Sequence, residues 1–174
     1  DDIFSVKVRV VTGNEEARLS AIGALSGSAN ANGLLADLGG GSCDFMELND
    51  GAFGRNDTTP LGHLRLRELS GGSREAARKE VSRHLSKVPW LNSVDGRTLY
   101  LTGGSCRALA RVFIDQVGYP LHVIDGFTLR CGEARRMSGV LAQAGPDSIS
   151  QIRGVSTSRQ RTLPYAAAVV EGLL

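Results

Sequence analysis

The sequence predicts a layered α/β fold built on a mixed sheet, and three observations lead there. Short apolar segments separated by glycines and turn residues follow one another between positions 34 and 68, as in an antiparallel meander. An apolar segment at 98–102 then runs through two glycines straight into a helical pattern, the order of a parallel strand unit. Charged amphipathic segments stand on either side of both.

Taken in order, "FSVKVRVV" alternates Phe4, Val6, Val8 and Val10 with polar residues, which predicts a strand over 4–10 with one buried face. "TGNEEARLSAIGAL" changes period. Thr12 and Glu15 fit a capping box, and Leu19, Ile22 and Leu25 follow at helical spacing. "SGSANANG" from Ser26 to Gly33 is a loop or short linker. "LLADL" at 34–38 predicts a buried strand ended by glycines, "DFMEL" a second strand, and "NDG" at 49–51 a hairpin turn of positive φ. "GHLRLRE" at 62–68 alternates and predicts the third strand of the meander.

"SREAARKEVSRHLSKV" places Ala77, Val81, Leu85 and Val88 on one face, a helix expected to pack on the sheet. "TLYLT" at 98–102 is a fourth strand. In "GGSCRALARVFIDQVG", Ser105 is expected to cap a helix carrying Leu109, Val112, Phe113 and Val117, stopped by Gly118 and Pro120. A loosely started helix is predicted from Asp125 to Ala144, a short turn from Ser148 to Arg153, and a last helix with Pro164 at its first position.

The chain has 20 basic and 18 acidic residues, a formal charge of +2, so its overall balance points to neither nucleic acid nor an anionic membrane as partner. Any anion site must be local. Cys43, Cys106 and Cys131 are odd in number and widely spaced, which fits reduced thiols of a cytoplasmic protein better than a disulfide framework. No apolar run reaches the 18 or so residues needed to cross a bilayer. The chain opens on "DDIFSVKVRVV" without methionine and closes on "AAAVVEGLL", and we read it as part of something longer.

Two loops carry the chemistry. In "DLGGGS", Gly39, Gly40, Gly41 and Ser42 can turn bare N–H groups inward as an anion nest, and Asp37 can hold Mg²⁺. The same residues also suit a tight hairpin with a glycine bulge. In "LYLTGGSCRALA", Gly103, Gly104 and Ser105 precede a helix whose free amides favour an anion. Glycine there also suits close packing of helix on strand. Both loops follow strands, where open α/β sheets place their ligands, and together they favour an oligophosphate. Glu15 is most simply the capping-box partner of Thr12, whereas Glu16, about 100° further round the helix, has no evident structural duty and suits either the orientation of water or contact with the metal. Arg18 is expected to pair with Glu15, and Arg65 either reaches a phosphate or faces solvent. His63, His84 and His122 lack partners at ligand or triad spacing. Arg130, Arg135, Arg136, Arg153, Arg159 and Arg161 form a polyanion track or a solvated face.

Five segments in order, "VVTGNEEARLSAIGAL", "LLADLGGGSCDFMEL", "TTPLGHLRLRE", "LYLTGGSCRALAR" and "SRQRTLPYAAAVVEGLL", resemble the exopolyphosphatase and guanosine pentaphosphate phosphohydrolase family. The resemblance implies a ribonuclease-H-like lobe of the actin, sugar kinase and Hsp70 superfamily: a three-stranded antiparallel meander plus parallel strands, flanked by helices. It implies that residues 34–174 are the second, phosphate-binding lobe without its final strand, and that 1–33 are the last strand and helix of the first lobe plus a linker. Glu16 matches an acidic position near the catalytic centre, Asp37 a metal position, and Gly39, Gly40, Gly41, Ser42, Gly103, Gly104 and Ser105 phosphate-binding positions. The "DxGSNS"-type loop of a first lobe is lacking, and Cys43 stands where threonine is usual.

The implied activity is release of terminal phosphate from inorganic polyphosphate or guanosine pentaphosphate with Mg²⁺, by a cytoplasmic enzyme whose other lobe completes the clamp. The fragment by itself is expected to be nearly inactive. The expected partners are polyphosphate or guanosine penta- or tetraphosphate, the missing first lobe, and a second copy in a homodimer, with neither membrane nor nucleic acid. The alternatives are a regulatory module that binds these phosphates without hydrolysis, and an actin-like sugar or acetate kinase, for which no acyl or sugar pocket is legible. By pseudo-symmetry, strand 4–10 is expected to take the place of the absent final strand or to pair with a neighbouring molecule.

Overall fold

The apolar run at 33–38 becomes the strand around which the chain is organised. The computed structural model describes residues 8–152 and 155–174. Gly33–Leu38 forms β1, buried on both faces, which is why it reads as a continuous apolar run and not as an alternation. Cys43–Asn49 forms β2, Ala52–Thr59 forms β3 and Thr98–Thr102 forms β4, in the order β3-β2-β1-β4. β1 and β2 are antiparallel with Leu38 opposite Cys43, β2 and β3 are antiparallel, and β4 runs parallel to β1 with Thr102 beside Asp37. The turn between β2 and β3 has Asp50 at φ 50 and Gly51 at φ 85, as "NDG" predicts.

The third strand is therefore 52–59 and not 62–68, which is helical from His63 onward. β3 lies at the sheet edge and is exposed at nearly every position, so its sequence carries no apolar alternation. His63–Leu69 forms a helix that buries Leu66, with Leu61 just before it, and leaves Leu64 and Leu69 about half exposed.

Gly13–Gly27 forms α1, and its capping box is present: Glu15 N–H donates to Thr12 Oγ1 at 3.3 Å and Thr12 N–H to Glu15 Oε2 at 2.9 Å. Glu15 pairs with Arg9 at 2.8 Å and not with Arg18, whose guanidinium lies 5.8 Å from the ring centre of Phe53. Of the strand expected at 4–10, residues 4–7 lie outside the described residues and 8–10 belong to no strand, with Val10 89% exposed. α1 covers one face of the sheet, where Ala21 packs with Leu35, Met46 and Leu48.

The other face carries the main core. After His63–Leu69 (α2) come Arg74–Leu85 (α3), a 3-10 helix at Pro89–Val94, Gly104–Val117 (α4), Cys131–Gln143 (α5), Pro146–Ser150 (α6), Thr157–Gln160 (α7) and Leu163–Leu173 (α8). Leu34, Ala36, Leu38 and Phe45 of the sheet meet Leu109, Val112 and Phe113 of α4 and the buried length of α8. α3, capped by Ser73, rests on α8 and not on the sheet as expected: Arg78 bonds Glu171, and a methyl on Gly172 would stand 2.5 Å from Val81 Cγ1. α5 starts six residues later than predicted, at Cys131. α4 ends as expected at Gly118, φ 62, but Ser105 does not cap it. Gly103 holds the N-cap place without a side-chain bond, and Ser105 is the second helical residue. Among the described residues no helix is long and apolar enough to cross a membrane.

Candidate functional site

Because β1 and β4 are parallel neighbours, the loops that follow them emerge at the same end of the sheet, side by side. They touch. Gly103 has φ 99, and a methyl on it would stand 2.5 Å from Leu38 O and 3.0 Å from Asp37 Oδ1. Only glycine lets the second corner close against the first.

In the first corner, Gly39 N–H donates to Ser42 O at 3.0 Å and closes the turn. Gly39 O accepts from His63 N–H at 3.1 Å, and Gly40 O from Leu64 N–H at 3.0 Å and Arg65 N–H at 3.1 Å. These carbonyls satisfy the first amides of α2, which explains why the short "GHLRLRE" segment starts a helix. Gly62 belongs to this corner too, although its sequence gave no hint: a methyl on it would stand 2.4 Å from Gly40 O. With the carbonyls turned to α2, the N–H groups of Gly40, Gly41 and Ser42 have no protein acceptor among the described residues, and nothing lies within 4 Å of a methyl placed on Gly41. Packing thus accounts for Gly62 and one side of Gly40. The open side of the loop retains the donors and space that an anion nest requires.

Asp37 is the penultimate residue of β1, beside this loop. Ser20 Oγ of α1 donates to Asp37 Oδ2, while Oδ1 faces Gly103. Glu16 lies four residues before Ser20 on the same helix face, about one turn away. Its carboxylate is exposed and makes no ion pair or hydrogen bond among the described residues. Across the parallel ladder from Asp37, Thr102 Oγ1 is buried without a partner. One free carboxylate oxygen next to an orphaned hydroxyl fits Mg²⁺, which takes one or two protein oxygens and keeps water and phosphate for the rest. No group of three His, Cys, Asp or Glu able to cage a metal exists among the described residues.

Three residues of this region carry no individual site role in the sequence reading, Arg159 entering it only as one of a basic track. Asp44 is 2% exposed and accepts from Ser42 Oγ at 2.8 Å and Thr58 Oγ1 at 2.7 Å, tying the loop to the edge strand beside Gly13 of α1. Its place on the α1 face was legible from the alternation of Asp44, Met46 and Leu48. His63, assigned no role above, sits against Gly39 with its Nδ1 buried and unpartnered. Burial, and then the charge of Arg159, hold its pKa below the usual value. Arg159 donates from Nη1 to Gly104 O, and a methyl on Gly104 would stand 2.9 Å from Nη2. Of the basic track, Arg159 is the member joined to these corners, and Arg153 lies outside the described residues.

Ser105 is 7% exposed, so the second corner offers backbone before hydroxyl. Cys43 and Cys106 are buried. Burial first, then the neighbouring Cys106 with Asp44 and Asp37 for Cys43 and Asp37 for Cys106, raise both thiols, Cys106 to about 12, so neither is poised as a thiolate.

Residues 1–174 match the Ppx/GppA phosphatase family. Among solved structures, the chain is similar to an exopolyphosphatase-like protein at 20% identity and TM-score 0.82, covering 98% of this chain and 59% of that one. It is similar to an exopolyphosphatase from Cytophaga hutchinsonii at 21% identity and TM-score 0.80, with 97% and 58% covered. A Ppx/GppA family member from Aquifex aeolicus gives 20% identity and TM-score 0.75, with 99% and 58% covered. No curated protein matches the chain in sequence. These structural likenesses carry the fold, and the chain spans less than two thirds of each of these structures.

Proposed function

The chain belongs to the Ppx/GppA phosphatase family, and from that premise we propose that it forms the phosphate-cradling lobe of a hydrolase releasing terminal phosphate from inorganic polyphosphate or guanosine pentaphosphate with Mg²⁺. Residues 34–174 are then the second lobe and 1–33 the edge of the first. The observation that supports this most is the close approach of Gly103 to Leu38 O and Asp37 Oδ1, which sets the two bare-backbone corners side by side at one end of the sheet.

Asp37 would hold Mg²⁺ with Thr102 Oγ1 beside it, and the bound ion would supply positive charge against phosphate oxygens. The N–H groups of Gly40, Gly41 and Ser42 receive oxygens of the terminal phosphoryl group, and those of Gly104 and Ser105 lie toward the next. Glu16 accepts a hydrogen bond from the attacking water and aims it. The water oxygen forms a new bond to phosphorus as the bridging P–O bond breaks. The bridging oxygen leaves on the shortened chain, and the proton of the water passes to Glu16 and on to solvent.

The test is phosphate release from long-chain polyphosphate and from guanosine pentaphosphate by the full-length protein, beside its Asp37→Ala variant. Turnover is expected to fall roughly 100-fold or more in the variant. Unchanged turnover rejects the role of Asp37. Tight retention of either ligand without phosphate release assigns the corners to a non-catalytic regulatory module instead.

A further inference from the structure

The ladder register gathers four polar side chains into one row. Leu35 pairs with Met46 and Tyr100 on the sheet face that α1 covers, and two residues away along each strand the same face carries Asp37, Asp44 and Thr102, with Thr58 of β3 beside Asp44. Three of the four are served. Thr58 Oγ1 and Ser42 Oγ donate to the two oxygens of Asp44, at 2.7 and 2.8 Å, and Ser20 Oγ donates to Asp37 Oδ2. Thr102, at the far end of the row, has its Oγ1 buried with no hydrogen-bond partner, and Oδ1 of its neighbour Asp37 accepts no hydrogen bond among the described residues.

A buried hydroxyl without a partner costs stability, and valine has nearly the same shape and the same preference for a strand without that cost. Packing alone therefore does not explain threonine at 102. Neighbouring strands lie about 4.8 Å apart, too far for so short a side chain to bond the carboxylate across the ladder and near enough for an ion on Oδ1 to bring its water to Oγ1. Resting on the magnesium site of the function proposed above, we infer that Thr102 is a positioning residue for that ion: Asp37 Oδ1 is the direct ligand, and Thr102 Oγ1 accepts a hydrogen bond from a water molecule of the ion's shell. Magnesium gives up water reluctantly and keeps several molecules when bound, whereas calcium takes more oxygens in a flexible shell. An acceptor set for one retained water favours the smaller ion.

Calorimetric titration of magnesium and of calcium into the full-length protein without substrate tests this, beside Thr102→Val and Thr102→Ser. Valine is expected to weaken magnesium binding roughly 10-fold, as loss of a partner behind a metal site does, and to change calcium binding by less than about threefold. Serine, which keeps the hydroxyl, is expected to stay within about threefold of the unaltered protein for both ions. Thr102→Ala serves in its place should the valine variant fail to fold. Thermal unfolding adds a reading of opposite sign: in chelator the valine variant should melt at or above the unaltered protein, having lost the orphaned hydroxyl, and excess magnesium should raise its Tm by less. Magnesium affinity unchanged in the valine variant, or an equal loss for calcium, overturns the role of Thr102 and leaves Asp37 as the ligand. Failure of the unaltered protein to bind magnesium more tightly than Asp37→Ala overturns the metal site itself, and the role of Thr102 falls with it.

Discussion

Gly103 stands so close to Asp37 that a side chain on one would displace the carboxylate of the other: a methyl at 103 comes within 3.0 Å of Oδ1 and 2.5 Å of the next carbonyl. The left-handed backbone at φ 99 adds a cost of about 1–3 kcal/mol for any non-glycine residue. Gly103→Ala is therefore expected to lower Tm by several degrees, at about 2–4 °C per kcal/mol for a chain of this size. Phosphate release should fall further than the stability loss accounts for, because Asp37 moves. Thermal unfolding and turnover of the variant, measured together, check both parts.

This contact also marks what could be read from residues alone. That two glycine corners follow two strands was legible, since each combines a short apolar run with a turn that needs bare backbone. Their contact was not, because it depends on β4 pairing parallel to β1 across sixty residues of chain. The alternation in "GHLRLRE" misled because Leu64 and Leu66 do alternate, while what decides the segment is the set of Gly39 and Gly40 carbonyls receiving its first amides. β3 escaped notice for the opposite reason: an exposed edge strand is held by its ladder to β2 and needs no apolar pattern. Arg159 is brought to Gly104 by the turn leading into α8, and no spacing within "SRQR" announces that.

Gly41 offers the complementary experiment. Its backbone is not left-handed and nothing lies within 4 Å of an added methyl, so Gly41→Ala should leave stability within about 0.5 kcal/mol. The methyl would nonetheless occupy the open side of the loop. Affinity for phosphate ligands, measured by calorimetry with magnesium, is expected to fall roughly tenfold, about one charge-assisted contact. Equal affinity would mean that the loop glycines serve packing alone.

Away from the two corners, Glu47 supplies a pH-dependent part of the stability. Its carboxylate takes two bonds from Arg55 and one from Arg97, and the Arg55 side chain above all holds its pKa at about 2, against 4.5 for an unperturbed glutamate. A depressed folded-state pKa gives stability that is fully present above the unfolded value and lost as pH falls through the folded one. Denaturant midpoints should therefore drop between pH 4.5 and pH 2. Glu47→Gln should lower the midpoint at neutral pH and flatten that part of the profile, and an unaltered slope would assign the acid sensitivity to other carboxylates.

Ser20 holds the carboxylate that the proposed Mg²⁺ requires. Its hydroxyl donates to Asp37 Oδ2 from the middle of α1, so it fixes the rotation of the carboxyl group and leaves Oδ1 toward Gly103. Partners that orient a metal ligand typically change metal affinity 10- to 100-fold when removed. Ser20→Ala is thus expected to raise the magnesium concentration at half-maximal turnover by roughly tenfold, while excess magnesium restores most of the rate. Loss of turnover that no magnesium concentration restores would place Ser20 in contact with the substrate instead. An unchanged magnesium requirement would mean that Asp37 is held by its strand alone. Because Ser20 sits one turn from Glu16 on the same face, the double variant with Glu16→Gln adds a further distinction. If the two residues act separately, as an orienter of Asp37 and a holder of water, their effects on turnover at saturating magnesium should multiply within a factor of about two.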